Sequence, residues 1–337
     1  MTLTRVVPAE WAPHQAMWLG FPSRADLWQE DLEPAQEEVA DLARALAQEG
    51  GERVRLIVHG DEAEAAARRL LAEAPGVEIV RGQFGDIWFR DTGPIFVEEK
   101  GALVAAGFRF NGWGGKYELE FDDTVAEQIA AASGHRLERH AFVLEGGAVD
   151  HDGFGTVLTT EQCLLNPNRN PGWTRETAEI ALGAALGAQK VLWLGDGLLN
   201  DHTDGHVDNL ARFVAPGVVA CPVAWGVDDP NAEVYDATAR ALAGMTDARG
   251  QPLQVVRVPS PGRVVNEDGE IVPASHMNFL IADGCVVVPT YGTPSAAMAV
   301  EALSSIFPER KVLGLPSVAI LTGGGSFHCI SQQEPKL

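Results

Sequence analysis

One recurrence limits what this chain can fold into more than any other feature. An Ala-rich helix, an apolar strand, a polar or glycine-rich turn and a β-hairpin follow one another repeatedly along its 337 residues. Such periodic units bury their apolar faces against their neighbours rather than alone. The first is read as helix 61–74, strand 77–80, the segment Asp91-Thr92-Gly93-Pro94 leading into an apolar strand, and a return strand over 102–110. The second has helix 122–132, strand 136–142, Glu145-Gly146-Gly147 and a return over 156–160. The third has helix 175–186, strand 190–194, His206-Val207-Asp208-Asn209 and a return over 218–223. The fourth runs through helix 231–244 and strand 253–258 to Ser275-His276-Met277-Asn278 and the strand from Cys285 to Pro289. The fifth has helix 295–306 and strand 311–315, enters Gly323-Gly324-Gly325-Ser326-Phe327-His328-Cys329, and lacks a return strand. The strand from Met17 to Phe21 can supply it, which predicts a closed α/β ring with no open sheet edge.

Closure of that kind puts chemistry on an axis. The first strand of each hairpin would point inward, so Asp91, Glu145, His206, Asp208 and Cys329 would meet although they lie far apart in sequence. Phase also sorts the cysteines. Cys163, Cys221 and Cys285 fall in the outgoing strands and read as structural, and Cys329 alone lies on an axial strand. Three glycines before Cys329 let Gly324 and Gly325 bring backbone close to a ligand, a suitable floor for a nucleophilic thiol. A thiolate attacks an electrophilic carbon, a histidine such as His206 moves protons near neutral pH, and a carboxylate such as Glu145 orients it. Two further acids, Asp91 and Asp208, would oppose an oxyanion but suit a guanidinium, whose planar fork pairs with carboxylates. Trp88 and Trp113 could wall a channel around a substrate tail, or be plain core.

Composition narrows the partners. With 47 acidic and 25 basic residues the net charge is -22, which argues against nucleic acid and favours capture of a small cation. No apolar run reaches the roughly 18 residues of a membrane span, and the N-terminal residues lack a secretory pattern. A cytoplasmic protein is expected. The four cysteines form no C-x-x-C pair, so neither a zinc ribbon nor a disulfide framework is indicated.

The segments Trp88-Phe89-Arg90-Asp91-Thr92-Gly93-Pro94, Leu144-Glu145-Gly146-Gly147, Thr203-Asp204-Gly205-His206-Val207-Asp208-Asn209 and Gly323 to Gln333, with the opening Pro8-Ala9-Glu10-Trp11, resemble the agmatine deiminases. These lie within the bacterial peptidylarginine deiminase-like family of guanidine-modifying enzymes. The resemblance spans essentially the whole chain and implies the pentein fold, a five-bladed α/β propeller of ββαβ-type units, with residues 1–337 as one catalytic domain. It further implies Cys329 as nucleophile, His206 as general acid and base, Glu145 as partner of His206, and Asp91 and Asp208 as guanidinium clamps. The implied reaction converts agmatine to N-carbamoylputrescine and ammonia through an amidino-cysteine, as in polyamine metabolism and putrescine biosynthesis. No metal or organic cofactor is implied, and a homodimer is compatible with it.

Two departures from the pattern bear on the substrate. An acidic residue is expected four positions before His206 to bind a distal amine, and His202 stands there, with Asp201 and Asp204 beside it as possible substitutes. Ser326-Phe327 replaces an expected Asn-Ile pair. Peptidyl-arginine or free arginine is the alternative substrate. A more distant alternative is a metal-dependent hydrolase, since His202, Asp204, His206 and Asp208 would share one face of a strand.

Overall fold

The computed structural model describes residues 4–337. Its strands form five small sheets, two of four strands and three of three. Each combines an antiparallel pair with a parallel one: Ile95–Glu99 runs antiparallel to Ala102–Arg109, which runs parallel to Arg136–Val143. The same pattern recurs where Arg212–Ala215, Val218–Val223 and Gln254–Pro259 join. The expected loan is made, because Ser331–Pro335 pairs antiparallel with His14–Gly20, placing Ser331 opposite Leu19. Strands Val54–Val58 and Val77–Arg81 extend that sheet in parallel.

Local sequence explains the helices that join the strands. Leu32–Gln48 buries Ala35, Val39, Leu42, Ala43 and Leu46 along one stripe, the 3.6-residue period of an amphipathic helix. Arg175–Leu186 opens on a capping box in which the Thr174 and Thr177 hydroxyls each accept the other's backbone N–H, and it closes on left-handed Gly187. Both devices satisfy backbone groups that a helix end leaves free.

The axial elements depart from expectation. Asp91, His206, Asp208 and Cys329 sit on or beside single helical turns just before the inner strands, not on the strands themselves. Phe89–Thr92 precedes strand Ile95–Glu99, Gly146–Ala148 precedes Val149–His151, and Val207–Asn209 precedes Arg212–Ala215. A turn packs several polar side chains and backbone amides into one small volume, whereas a strand would send alternate residues to opposite faces.

Hydrogen bonds tie these turns into a ring. Gly147 N donates to Asp91 Oδ1 at 2.9 Å, Thr160 Oγ1 donates to the Gly205 carbonyl at 2.6 Å, and Asn278 Nδ2 donates to Asn209 Oδ1 at 2.9 Å. His328 N donates to Asn278 Oδ1 at 2.9 Å, and Arg90 N closes the circle on the Cys329 carbonyl at 3.0 Å. Arg90, buried itself, also reaches Gln333 Oε1 at 2.6 Å. Apolar clusters fill the space between sheets and helices outside this ring, one of them built on Trp18, Leu19, Val54, Leu56 and Ile57. Among the described residues no helix is long and apolar enough to cross a membrane.

Candidate active site

A cavity of about 580 Å³ opens onto the axis. Trp28, Trp88, Trp113, Gly324 and Gly325 line it, with Asp91 and Cys329 in its depths. The sequence-selected Trp88, Trp113, Gly324, Gly325, Asp91 and Cys329 therefore do converge. His206, Asp208 and Glu145 lie fully buried behind them.

Close approach of backbone makes room for this cluster. A Cβ on Gly147 would stand 2.5 Å from His206 Nδ1, 2.9 Å from Asp91 Oδ1 and 3.1 Å from Asp208 Oδ2. One on Gly325 would meet Trp88 Cζ3 at 2.5 Å and Cys329 Cβ at 3.1 Å. Glycine is required at both positions because any other side chain would displace a group of the site.

Asp91 is held on both oxygens: Gly147 N donates to Oδ1, and Trp113 Nε1 donates to Oδ2 at 2.9 Å. Trp113 does so from a left-handed backbone, φ 53° and ψ 47°, between left-handed Gly112 and Gly114. For an aromatic residue that conformation is costly and is found where surroundings impose it. Burial, together with repulsion from Asp208 and Glu145, pushes the Asp91 carboxyl above the usual range, against the pull of His206.

Asp208 is oriented from the other side. Its Oδ2 accepts His328 Nδ1 at 2.8 Å and lies 3.6 Å from Cys329 Sγ. His328 Nε2 stands 3.2 Å from Glu10 Oε2, and Glu10 is paired with Arg212, which also binds Asp150 at 2.6 Å. Burial works to raise the Asp208 carboxyl, but the hydrogen bond and charge of His328 outweigh it and hold the group below its ordinary value. Asp208 Oδ1 has no hydrogen-bond partner among the described residues, nor does either ring nitrogen of His206. Buried polar atoms left so demand a partner, and the N–H donors of a guanidinium fit the carboxylate.

Cys329 Sγ accepts Asn278 Nδ2 at 3.0 Å. Burial first, then the charges of Asp208 and Asp91, push the thiol well above its ordinary range. His206 moves upward as well: burial favours the neutral ring, but Asp91, Cys163 and Glu145 overcome it, and Asp91 Oδ1 lies 3.7 Å from Nδ1. Burial and the neighbouring acids thus disfavour the thiolate, while the acids around His206 favour its charged ring.

Several residues do not lie as the sequence pattern suggests. Glu145 Oε1 accepts from Arg169 Nε at 2.5 Å, and no hydrogen bond joins Glu145 to His206 among the described residues. Cys163, read as structural, packs its sulfur within 4.8 Å of ligand atoms of both Glu145 and His206, because the short helix Glu161–Leu164 turns it back toward the axis. The quartet His202, Asp204, His206 and Asp208 shares no strand face and forms no metal cluster among the described residues. His202 bonds Tyr117 Oη at 3.1 Å, Asp204 binds Lys116 and Arg169, and Asp208 binds His328. Nor do Asp201 and Asp204 replace the expected amine-binding acid. Asp201 accepts both the backbone N–H and the hydroxyl of Thr203, while Asp204 is committed to its two cations.

Sequence reasoning gave no role to Asn278, His328, Glu10 or Arg169. Asn278 was visible as the fourth polar turn of the repeat, and His328 as the immediate neighbour of Cys329. Trp28 Nε1 and Trp88 Nε1 donate to the two oxygens of Asp86 at 2.9 and 2.7 Å, with the rings stacked 6.3 Å apart. Burial pushes Asp86 up to about 6.

The profile of the Porphyromonas-type peptidyl-arginine deiminases matches residues 6–335. The chain belongs to that family. Within reach of this peptidyl-arginine deiminase family, the agmatine deiminase of Stutzerimonas stutzeri is 39% identical over 355 residues, covering 98% of this chain and 95% of the relative. That of Ectopseudomonas mendocina is 40% identical with the same coverage. The solved agmatine deiminase of Enterococcus faecalis superposes with a TM-score of 0.92 at 36% identity, covering 99% of this chain and 96% of the other. An amidinotransferase from Microseira wollei, at 12% identity and a TM-score of 0.56, shares the fold. The α/β architecture is therefore that of this family, and the amidinotransferase shares it at greater distance.

Proposed function

We propose that the protein hydrolyses the guanidine group of agmatine, giving N-carbamoylputrescine and ammonia, and that residues 1–337 act as one catalytic unit. The observation that carries this reading is the placement of two anchored carboxylates, Asp91 and Asp208, around a buried thiol, with Asp208 Oδ1 unpartnered. The names of the relatives, agmatine deiminases at 39% and 40% identity, support the choice of substrate.

Charge then sets the order of events. In the free site burial, with the charges of Asp208 and Asp91 behind it, favours the protonated Cys329 thiol. A bound guanidinium offsets the charges of both acids, which lowers the cost of a thiolate beside its electrophilic carbon, and the thiol proton leaves to solvent. Sγ attacks that carbon, and the tetrahedral adduct expels one nitrogen as ammonia, taking its proton from His206. The resulting S-amidino-cysteine is attacked by water that loses its proton to the now neutral His206, and the Cys329 thiolate leaves with formation of the ureido product. Asp91 and Asp208 hold the planar group throughout, as bidentate pairing requires.

Beyond the clamp, Trp28, Trp88 and Trp113 enclose a methylene chain, and the acids at the cavity mouth are Glu30, Asp31 and Glu118. They favour a tail ending in an ammonium over the carboxylate of free arginine. The test is ammonia release from agmatine, free arginine and a peptidyl-arginine side by side. Agmatine should be preferred; preference for either arginine substrate would overturn the assignment.

A further inference from the structure

Arg169 is wholly buried and makes its bonds at one junction. Its Nε donates to Glu145 Oε1 at 2.5 Å, Nη1 to Asp204 Oδ2 at 2.6 Å and to Asn168 Oδ1 at 2.8 Å, and Nη2 to the Thr203 carbonyl at 2.9 Å. Burial disfavours the charge, but Glu145 heads the groups that raise the guanidinium above its ordinary value. The partners belong to two elements that have no sequence relation: the turn that begins at Glu145, and the loop 203–206.

That loop follows a constrained path. Asp204 and Gly205 are both left-handed, with φ of 63° and 86°, and the reversal delivers His206, whose backbone N donates to Thr203 Oγ1 at 3.1 Å. Arg169 grips the loop at the Thr203 carbonyl and the Asp204 carboxylate, and grips Glu145 with the remaining edge of its fork. With Oε1 taken, the Glu145 carboxylate cannot swing away from the imidazole, and one of its oxygens stays within 4.8 Å of a His206 ring nitrogen.

We propose that Arg169 is a positioning residue of the reaction, fixing Glu145 against His206 by bridging the second and third turns of the ring. This rests on the role given above to His206. The job needs a planar fork: a lysine would supply the charge, but its ammonium cannot address a carboxylate, a second carboxylate and a carbonyl in three fixed directions. The contribution is geometric, and it acts through His206 rather than through contact with substrate.

The test compares Arg169→Met, Arg169→Lys, Glu145→Gln and the double variant Arg169→Met/Glu145→Gln on agmatine. Arg169→Met should lower kcat about 100-fold while KM stays within about 3-fold, as for a misplaced catalytic group. Arg169→Lys should recover only part of the loss. In the Glu145→Gln background the further cost of Arg169→Met should fall below about 3-fold, because residues that act as a unit are non-additive. Additive losses, or a loss confined to KM, would overturn the proposal. Melting temperatures report folding, and if Arg169→Met does not fold then Arg169→Lys against Glu145→Gln carries the cycle. A measurement free of turnover completes it. Glu145 is one of the groups that raise His206, so in Arg169→Lys, which keeps the charge but frees the carboxylate, the His206 ring-proton resonance should titrate at least about half a pH unit lower; an unmoved midpoint counts against Arg169. A wild-type protein that releases no ammonia from any guanidine defeats the parent reading, whereas an active one with additive variants defeats only this inference.

Discussion

The floor of the cavity and its mouth are built on different terms. At the floor each functional group is held by a partner that is itself held. Asp91 is fixed by Gly147 and Trp113, and Asp208 by His328, which is fixed in turn by Glu10 and, behind it, Arg212. At the mouth Glu30 and Glu118 are exposed, and the His202 ring is held by a stack and a single bond to exposed Tyr117. Preorganisation of this kind costs no rearrangement when charge develops, so it belongs where bonds change. A tail that only has to be accommodated needs less. The difference implies that the reaction is fixed by this architecture while substrate reach is open to change by single residues.

The largest effect should come from the floor. Cys329→Ser should lose turnover by at least about 10⁴-fold and still bind agmatine, the behaviour of a missing nucleophile; rapid ammonia release by this variant would break the distinction at its root. Asp208→Asn should follow, lowering kcat/KM by about 10² to 10³-fold, the loss typical of a removed partner in a buried charge pair. It should also change the thiol. Asp208 is the charge that, after burial, contributes most to raising Cys329, so its removal moves the thiol downward. Inactivation by iodoacetamide in the wild type should then keep accelerating as pH passes about 9, the ordinary range of a cysteine, and in Asp208→Asn the rise should occur at lower pH. A profile that does not move would show that burial alone sets the thiol. Trp113→Phe should cost less, about 10-fold in kcat/KM, through loss of one hydrogen bond to a charged group; an unchanged value would mean that Gly147 suffices to hold Asp91.

The same contrast marks what could be read from sequence. Strands Thr156–Thr160, Lys190–Leu194 and Val218–Val223 fall at the bounds the sequence predicts, because each is an apolar run closed by turn residues. The repeat also anticipated the pairing of the last strand with the first long one. What it hid were the single turns at the axis, too short for any periodicity, which is why Asp91 and Asp208 were placed on strands. It hid the supporting layer too. Glu10 reaches Arg212 and His328 only through folding, and Arg169 meets Glu145 and Asp204 by a turn whose sequence carries no local signal. Cys163 lies nearer the axis than strand phase implies, because a helical turn intervenes after the strand.

The smallest expected effect lies at the mouth and sharpens the comparison most. His202 stands where an acid would hold a distal amine, and it lines the cavity beside Tyr117 and Lys116. His202→Glu should lower KM for agmatine about 3 to 10-fold, the scale of a partly exposed ion pair, with kcat within about 2-fold because the floor is untouched. A guanidinoalkane of equal length without the amine supplies the control and should show no gain. The Lys116 ammonium is already committed to Asp204 at 2.6 Å and to the His202 carbonyl at 2.8 Å, so it has little freedom to capture the new carboxylate. If KM for agmatine does not fall, the ammonium is being received by Glu30, Asp31 or Glu118, and neutralising those acids one at a time should raise KM where His202→Glu left it unchanged.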